Sequence, residues 1–208
     1  MFASASRRLL FVCALFLSGF LLVAALRTVF TQVDAYVNSW ATSMHTSFLT
    51  ITAEVVSFAF DTNTLLVLSL FTATCLFYKR FLREGVLLLS AMGANALCVE
   101  TTKILVRSSR PLNGLVQETG YSFPSGHASA TVVYLGLLTY FAWLHLKNVR
   151  VKNVLNVAFA VVAALVGFDR VYLNAHWLSD VIGGYMLGAF WATLSILVIQ
   201  HPKACEKP

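Results

Sequence analysis

The chain has 208 residues, of which 58% are hydrophobic and 12% charged, with a mean hydropathy of +0.75. A soluble domain carries roughly 25% charge, so this composition excludes an ordinary soluble enzyme, a disordered chain and a collagen-like chain. It points instead to an integral membrane protein formed by one domain over 1–208.

The first apolar run, 9–26, is uncharged, preceded by Arg7 and Arg8 and followed by Arg27. It is longer than the roughly 7–15 residues of a signal-peptide core, which favours a retained first helix. Further spans are predicted over about 57–78, 85–106, 127–146, 152–170 and 177–200. The predicted fold is therefore all-α, a bundle of six transmembrane helices. Between helices one and two, Tyr36, Val37, Trp40, Met44 and Phe48 recur at helical spacing, which predicts a short amphipathic helix lying in the interface.

Six spans put both termini on one side of the membrane. That side carries Arg7, Arg8, Lys79, Arg80, Arg83, Lys147, Arg150, Lys152, Lys203 and Lys207, ten of the 15 basic residues. The positive-inside rule makes it cytoplasmic. Arg27, Lys103, Arg107, Arg110 and Arg170 fall at the other end, where cations are disfavoured without a reason. The net charge of +6 is thus accounted for by short loops, and no basic stripe suggests a nucleic-acid partner. The four cysteines form no CxxC and no metal-ligand spacing. Cys13, Cys75 and Cys98 read as small apolar residues, and Cys205 lies in the tail.

Three polar clusters gather at the predicted outer ends of the spans, where ionisable residues are functional candidates. Lys103, Arg107 and Arg110 are spaced i, i+4 and i+7 and share one face if the helix persists to Pro111. Alone, they suit interfacial snorkelling as well as anion binding. Ser125, Gly126 and His127 open the fourth span. A helix start offers unpaired N–H groups, a glycine permits close approach and a serine adds a donor, which makes a phosphate cradle; a plain Ser N-cap has the same pattern. His176 and Asp180 are i and i+4 and follow Arg170. A carboxylate there can hold Nδ1–H and leave Nε2 as a free lone pair, although a simple helix pair reads the same way. Asp180 would enter a membrane helix with no other partner visible in the sequence. Taken together, the clusters supply cations, a cradle, a candidate nucleophile and a candidate acid, the parts phosphoryl transfer needs. There is no Walker-type loop and no carboxylate cluster for Mg²⁺, so no metal or other cofactor is expected.

Lys103-x6-Arg110-Pro111, then Pro124-Ser125-Gly126-His127, then Arg170-x5-His176-x3-Asp180 resembles the type 2 phosphatidic acid phosphatase (PAP2) superfamily. The resemblance implies that His176 attacks phosphorus to form a phosphohistidine and that Asp180 orients it. It implies that His127 protonates the leaving oxygen, and that Lys103, Arg110, Ser125, Gly126 and Arg170 bind the phosphate. Where the family usually has Ser before the arginine of the third motif, this chain has Asp169, expected to point away or to brace an arginine. Arg107 lies outside the motifs and is the candidate contact for a second phosphate.

The implied activity is dephosphorylation of a membrane lipid phosphate on the periplasmic or exterior face of the cell membrane. Candidate substrates are undecaprenyl or another polyprenyl diphosphate, phosphatidylglycerophosphate and phosphatidic acid. A lipid phosphotransferase or lipid A phosphatase would use the same site. A non-catalytic lipid or anion transporter is the reading from another class. Segment 36–48 is expected to line the path of the lipid, and Asp61 to hydrogen-bond between helices or face the outer vestibule.

Overall fold

Apolar runs interrupted by a few polar breaks produce eight helices in the computed structural model, which describes residues 2–200. They are α1 (Phe2–Ala25), α2 (Arg27–Ser43), α3 (Ser47–Ala59), α4 (Thr62–Tyr78), α5 (Leu82–Val106), α6 (Gly126–His145), α7 (Val149–Tyr172) and α8 (Leu178–Gln200). Lys203, Cys205 and Lys207 lie outside the described residues. Five helices are long and apolar enough to cross a membrane: α1 from Ser6, α5, α6, α7 and α8. A sixth crossing exists if α3 and α4, bent by 45° where they meet, form one broken span.

The break between α3 and α4 is encoded locally. Asp61 caps α4 by accepting the N–H of Asn63 at 2.8 Å, which favours a helix start at that point over continuation of α3. The predicted second span, 57–78, thus holds a helix break at Phe60–Asp61, and its continuous part is α4. The predicted interfacial helix is α2, and its buried face is not the aromatic one. Asp34 and Ala41 are buried, with Val37 beside them against Val171 and Val181, while Tyr36 and Trp40 face outward. At the α2–α3 corner, the ring N–H of His45 reaches the carbonyl of Tyr172 at 2.7 Å, which fixes this corner to the end of α7.

Helix α8 is the centre of the bundle, packed on α1, α6 and α5. One apolar core lies between α4, α5 and α6, around Leu65, Leu88, Met92, Val133 and Leu137. A second joins α1, α5 and α8 through Phe20, Val23, Val99, Phe123 and Leu187. The outward faces carry Phe11, Leu21, Phe71, Val154, Val157 and Leu165 exposed, as a lipid-facing surface requires.

The α6–α8 contact is set by missing side chains. A Cβ on Gly184 would stand 2.6 Å from the carbonyl oxygen of Ser125, and one on Gly188 2.5 Å from that of Ser129. This Gly-x3-Gly pair lets the two backbones touch. Gly188→Ala is expected to push α8 off α6, at a cost of about 1–3 kcal/mol for overpacking. Because His127 and Asp180 lie in the first turns of α6 and α8, activity should fall with the melting temperature. An unchanged melting temperature in detergent would contradict this.

Candidate active site

The site forms where α5 ends and α6 and α8 begin. Its third cluster is shaped by the end of α7. Asn174 takes a left-handed conformation, with φ of 50°, a conformation that Asn tolerates and that closes helices. The N–H groups of Ala175 and His176 then both donate to the carbonyl of Arg170, at 3.1 and 3.2 Å. This turn brings His176 back over Arg170. Helix α8 follows at once, and its third residue, Asp180, accepts the N–H of Trp177 at 2.9 Å. That is the return half of a capping box. On the same turn, Asp34 of α2 accepts the N–H and the hydroxyl of Ser179 at 2.9 and 2.6 Å, which places a carboxylate at the positive end of α8.

Asp180 is fully buried and has a partner the sequence did not reveal. Arg27, the first residue of α2, donates Nη1 to Asp180 Oδ1 at 2.6 Å and Nη2 to Ser108 Oγ at 2.7 Å. Its guanidinium lies 4.6 Å above the Phe123 ring, so the charge is desolvated on one side and paired on the other. The other carboxylate oxygen stands 3.5 Å from His176 Nδ1. From the opposite side, Arg110 Nη1 approaches His176 Nε2 to 3.2 Å. A guanidinium only donates, so Nε2 is the acceptor and the proton sits on Nδ1, facing Asp180. Burial pushes His176 below the ordinary histidine pKa, and Asp180 opposes that shift. Arg110 is itself held by the carbonyls of Ala175, Gly120 and Thr119 at 2.8, 3.2 and 3.3 Å. Burial lowers its pKa, and the carboxylate of Glu118 acts in the other direction.

A cavity of about 600 Å³ collects much of the set. Lys103, Arg110, Gly126, His127 and His176 line it, with Asp61, Glu100 and Glu118 beside them and Leu66, Ala96, Leu97 and Val99 along the α4–α5 side. Lys103 pairs with Glu100 at 2.9 Å. His127 Nε2 stands 3.6 Å from Asp61, so Asp61 does face the site. Ser125 is buried and caps α6 through Ala128 N–H at 3.5 Å, while its own N–H donates to the Asp180 carbonyl at 3.0 Å. Next to it, Gly126 is pressed by α4: a Cβ there would meet Thr62 Oγ1 at 2.9 Å.

Arg170 is fully buried behind Glu118, which it meets at 3.0 Å, and Asp169 braces it at 2.8 Å. The substituted carboxylate has therefore turned onto the neighbouring arginine. Arg107 departs from the spacing argument. Helix α5 stops at Val106, and Arg107 is left-handed with φ of 50°. It returns Nε to the Ile104 carbonyl at 3.1 Å and is exposed, so it shares no face with Lys103 and Arg110 and does not line the cavity. Segment 36–48 does not line it either. Among the described residues, no group of three His, Cys, Asp or Glu side chains is placed to hold a metal.

A model described as the PAP2 superfamily matches residues 84–203. This chain belongs to the PAP2 superfamily. It is a membrane-integral phosphatase of the PAP2 type, and its relatives agree along most of its length. Phosphatidylglycerophosphatase B of Bacillus subtilis is 30% identical over 178 residues, covering 84% of this chain and 88% of that one. Undecaprenyl-diphosphatase of Sulfolobus acidocaldarius is 31% identical over 61% of each chain. The crystal structure of the transmembrane PAP2-type phosphatidylglycerolphosphate phosphatase from Bacillus subtilis matches with a TM-score of 0.86 at 26% identity, over 93% of this chain and 98% of that chain. The structure of Aquifex aeolicus LpxE shares the fold, with a TM-score of 0.59 at 21% identity, over 79% of this chain and 93% of that chain.

Proposed function

We propose that this PAP2 protein hydrolyses a lipid phosphate monoester, with phosphatidylglycerophosphate the foremost candidate, through a phosphohistidine formed on His176. One observation carries this reading. His176, with Asp180 3.5 Å from its Nδ1 and Arg110 donating to its Nε2 at 3.2 Å, lines a cavity together with Arg110, Lys103 and His127, so a phosphate that draws Arg110 away frees Nε2 to attack.

In the first step, His176 Nε2 attacks phosphorus and the bond to the lipid oxygen breaks. His127 gives that oxygen a proton. In the second, His127 takes a proton from water, the water oxygen attacks phosphorus, the N–P bond breaks and inorganic phosphate leaves. Lys103, Arg110 and Arg170 neutralise charge on the equatorial oxygens. Ser125 and the first-turn N–H of Gly126, which has no acceptor within its helix, complete the cradle. Asp180 stabilises the cation that develops on His176.

The apolar flank formed by Leu66, Ala96, Leu97 and Val99 suits a lipid that arrives sideways between α4 and α5. The excess of cations at the opposite end of the bundle supports a site facing the periplasm or exterior, with cytoplasmic termini. Arg107, exposed and not among the cavity-lining residues, gives no support to a second phosphate. The relative matched over most of both chains acts, by its name, on phosphatidylglycerophosphate.

The test is phosphate release by purified protein in detergent with EDTA present. Phosphatidylglycerophosphate, phosphatidic acid and undecaprenyl diphosphate are compared as substrates. Release that survives EDTA and ranks phosphatidylglycerophosphate first is the expected result. A diphosphate preference would reverse the substrate assignment. Turnover only after addition of a sugar or lipid hydroxyl would make the protein a phosphotransferase.

A further inference from the structure

Every cation expected to hold the phosphate already has a carboxylate partner. Lys103 has Glu100, Arg170 has Asp169, and Glu118 bridges Arg170 and Arg110, with its two oxygens at 3.0 and 3.5 Å from their guanidinium nitrogens. These three carboxylates differ in how they are held. Glu100 and Asp169 sit on helices α5 and α7, and Asp169 is buried. Glu118 sits in the non-helical segment 107–125, two residues before Gly120, which has φ of 74°. Its carboxylate is partly exposed, lines the cavity and, among the described residues, forms ion pairs with these two arginines alone. It spans them as two oxygens of a phosphate would.

A cradle of three cations closed over a dianion binds product as firmly as substrate. Uniform binding of that kind does not raise turnover. A tethered carboxylate changes the balance, because its effective concentration at the arginines is high and does not dilute away as phosphate does. We propose that Glu118 is a resident competitor for the phosphate subsite: it yields the two arginines to the substrate and reclaims them as inorganic phosphate leaves. The proposal rests on the phosphatase reading of this site and adds a residue that governs product release. It also accounts for the second carboxylate on the fully buried Arg170, which Asp169 alone already balances in charge.

The opposite role, a fixed brace that holds the arginines in place, predicts the opposite sign. Calorimetric titration of inorganic phosphate into the full chain in detergent separates the two. Glu118→Gln keeps the shape and removes the charge, and Glu118→Ala removes both. Each is expected to bind phosphate about tenfold more tightly than wild type. Phosphate inhibition of lipid hydrolysis should tighten by the same factor, and kcat should fall as product release slows. Equal or weaker phosphate binding in the variants would make Glu118 a brace and overturn the proposal. So would phosphate that binds neither wild type nor variants, or two variants that fail to fold. The titration needs no turnover, so a protein that binds phosphate but hydrolyses no lipid would count against the proposed function and leave the role of Glu118 readable.

Discussion

His176→Ala is expected to abolish phosphate release, with kcat reduced by at least ~10⁴-fold, the scale seen when a nucleophile that acts within a coupled set is removed. The variant should fold, because the backbone N–H of His176, not its ring, closes the turn on Arg170. Retained melting temperature with lost turnover is therefore the expected pair of results. The pH profile gives an independent check on the same residue. The attacking nitrogen must be unprotonated, and burial sets its pKa below the ordinary value. Activity should then decline as pH falls through that lowered pKa, below the ~6.5 of a free histidine. Asp180 opposes the lowering, so Asp180→Asn should move the acid limb further down while reducing kcat. A limb at or above the free-histidine value, or a shift upward in Asp180→Asn, would contradict the assignment of His176.

The second large effect is expected at Arg27, which no motif singled out. Arg27→Met keeps much of the volume and removes the charge opposite a fully buried carboxylate. Breaking a buried pair of this kind costs about 3–5 kcal/mol. Asp180 would retain only the Trp177 N–H and the His176 ring, or would take up a proton and cease to stabilise the imidazolium. A fall in kcat/KM of roughly 100-fold is expected, as part of that cost reaches the transition state. Arg27→Lys should recover some of it through charge, without the contact to Ser108. Measured kcat/KM and melting temperature for the three proteins decide the matter: wild-type values in Arg27→Met would show that the pair is dispensable. The contact also gives α2 a purpose. Held to α8 by Arg27 and Asp34 at two successive residues, Asp180 and Ser179, it fixes the turn that carries the carboxylate proposed to orient His176.

Much of this was legible in the chain itself. Long apolar runs can only be buried in lipid or protein, so the spans expected at about 85–106, 127–146, 152–170 and 177–200 follow from composition and length, and the helices found there differ from them by at most three residues at either end. His176 and Asp180 share a site because four residues bring side chains together near a helix start, and their spacing shows it. Arg27 left a partial trace as a cation at the end where cations are scarce. Glu118 left none, because an acid in an irregular segment has no periodicity to betray which way it points. The helical extrapolation through Arg107 failed for a related reason: spacing predicts a shared face only while the helix lasts, and α5 stops one residue short of it.

The sequence by itself determined the solvent this protein lives in, its long apolar helices, its family and the motif residues proposed for its site. Those properties depend on local chemistry and on one-dimensional spacing. Only the tertiary structure decided which charges meet: Arg27 with Asp180 across 153 positions, and Glu118 with Arg170 across 52. A charge buried away from water must find its partner wherever the packed helices place one, and that position is set by backbone approaches such as Gly184 and Gly188 against α6 rather than by distance along the chain.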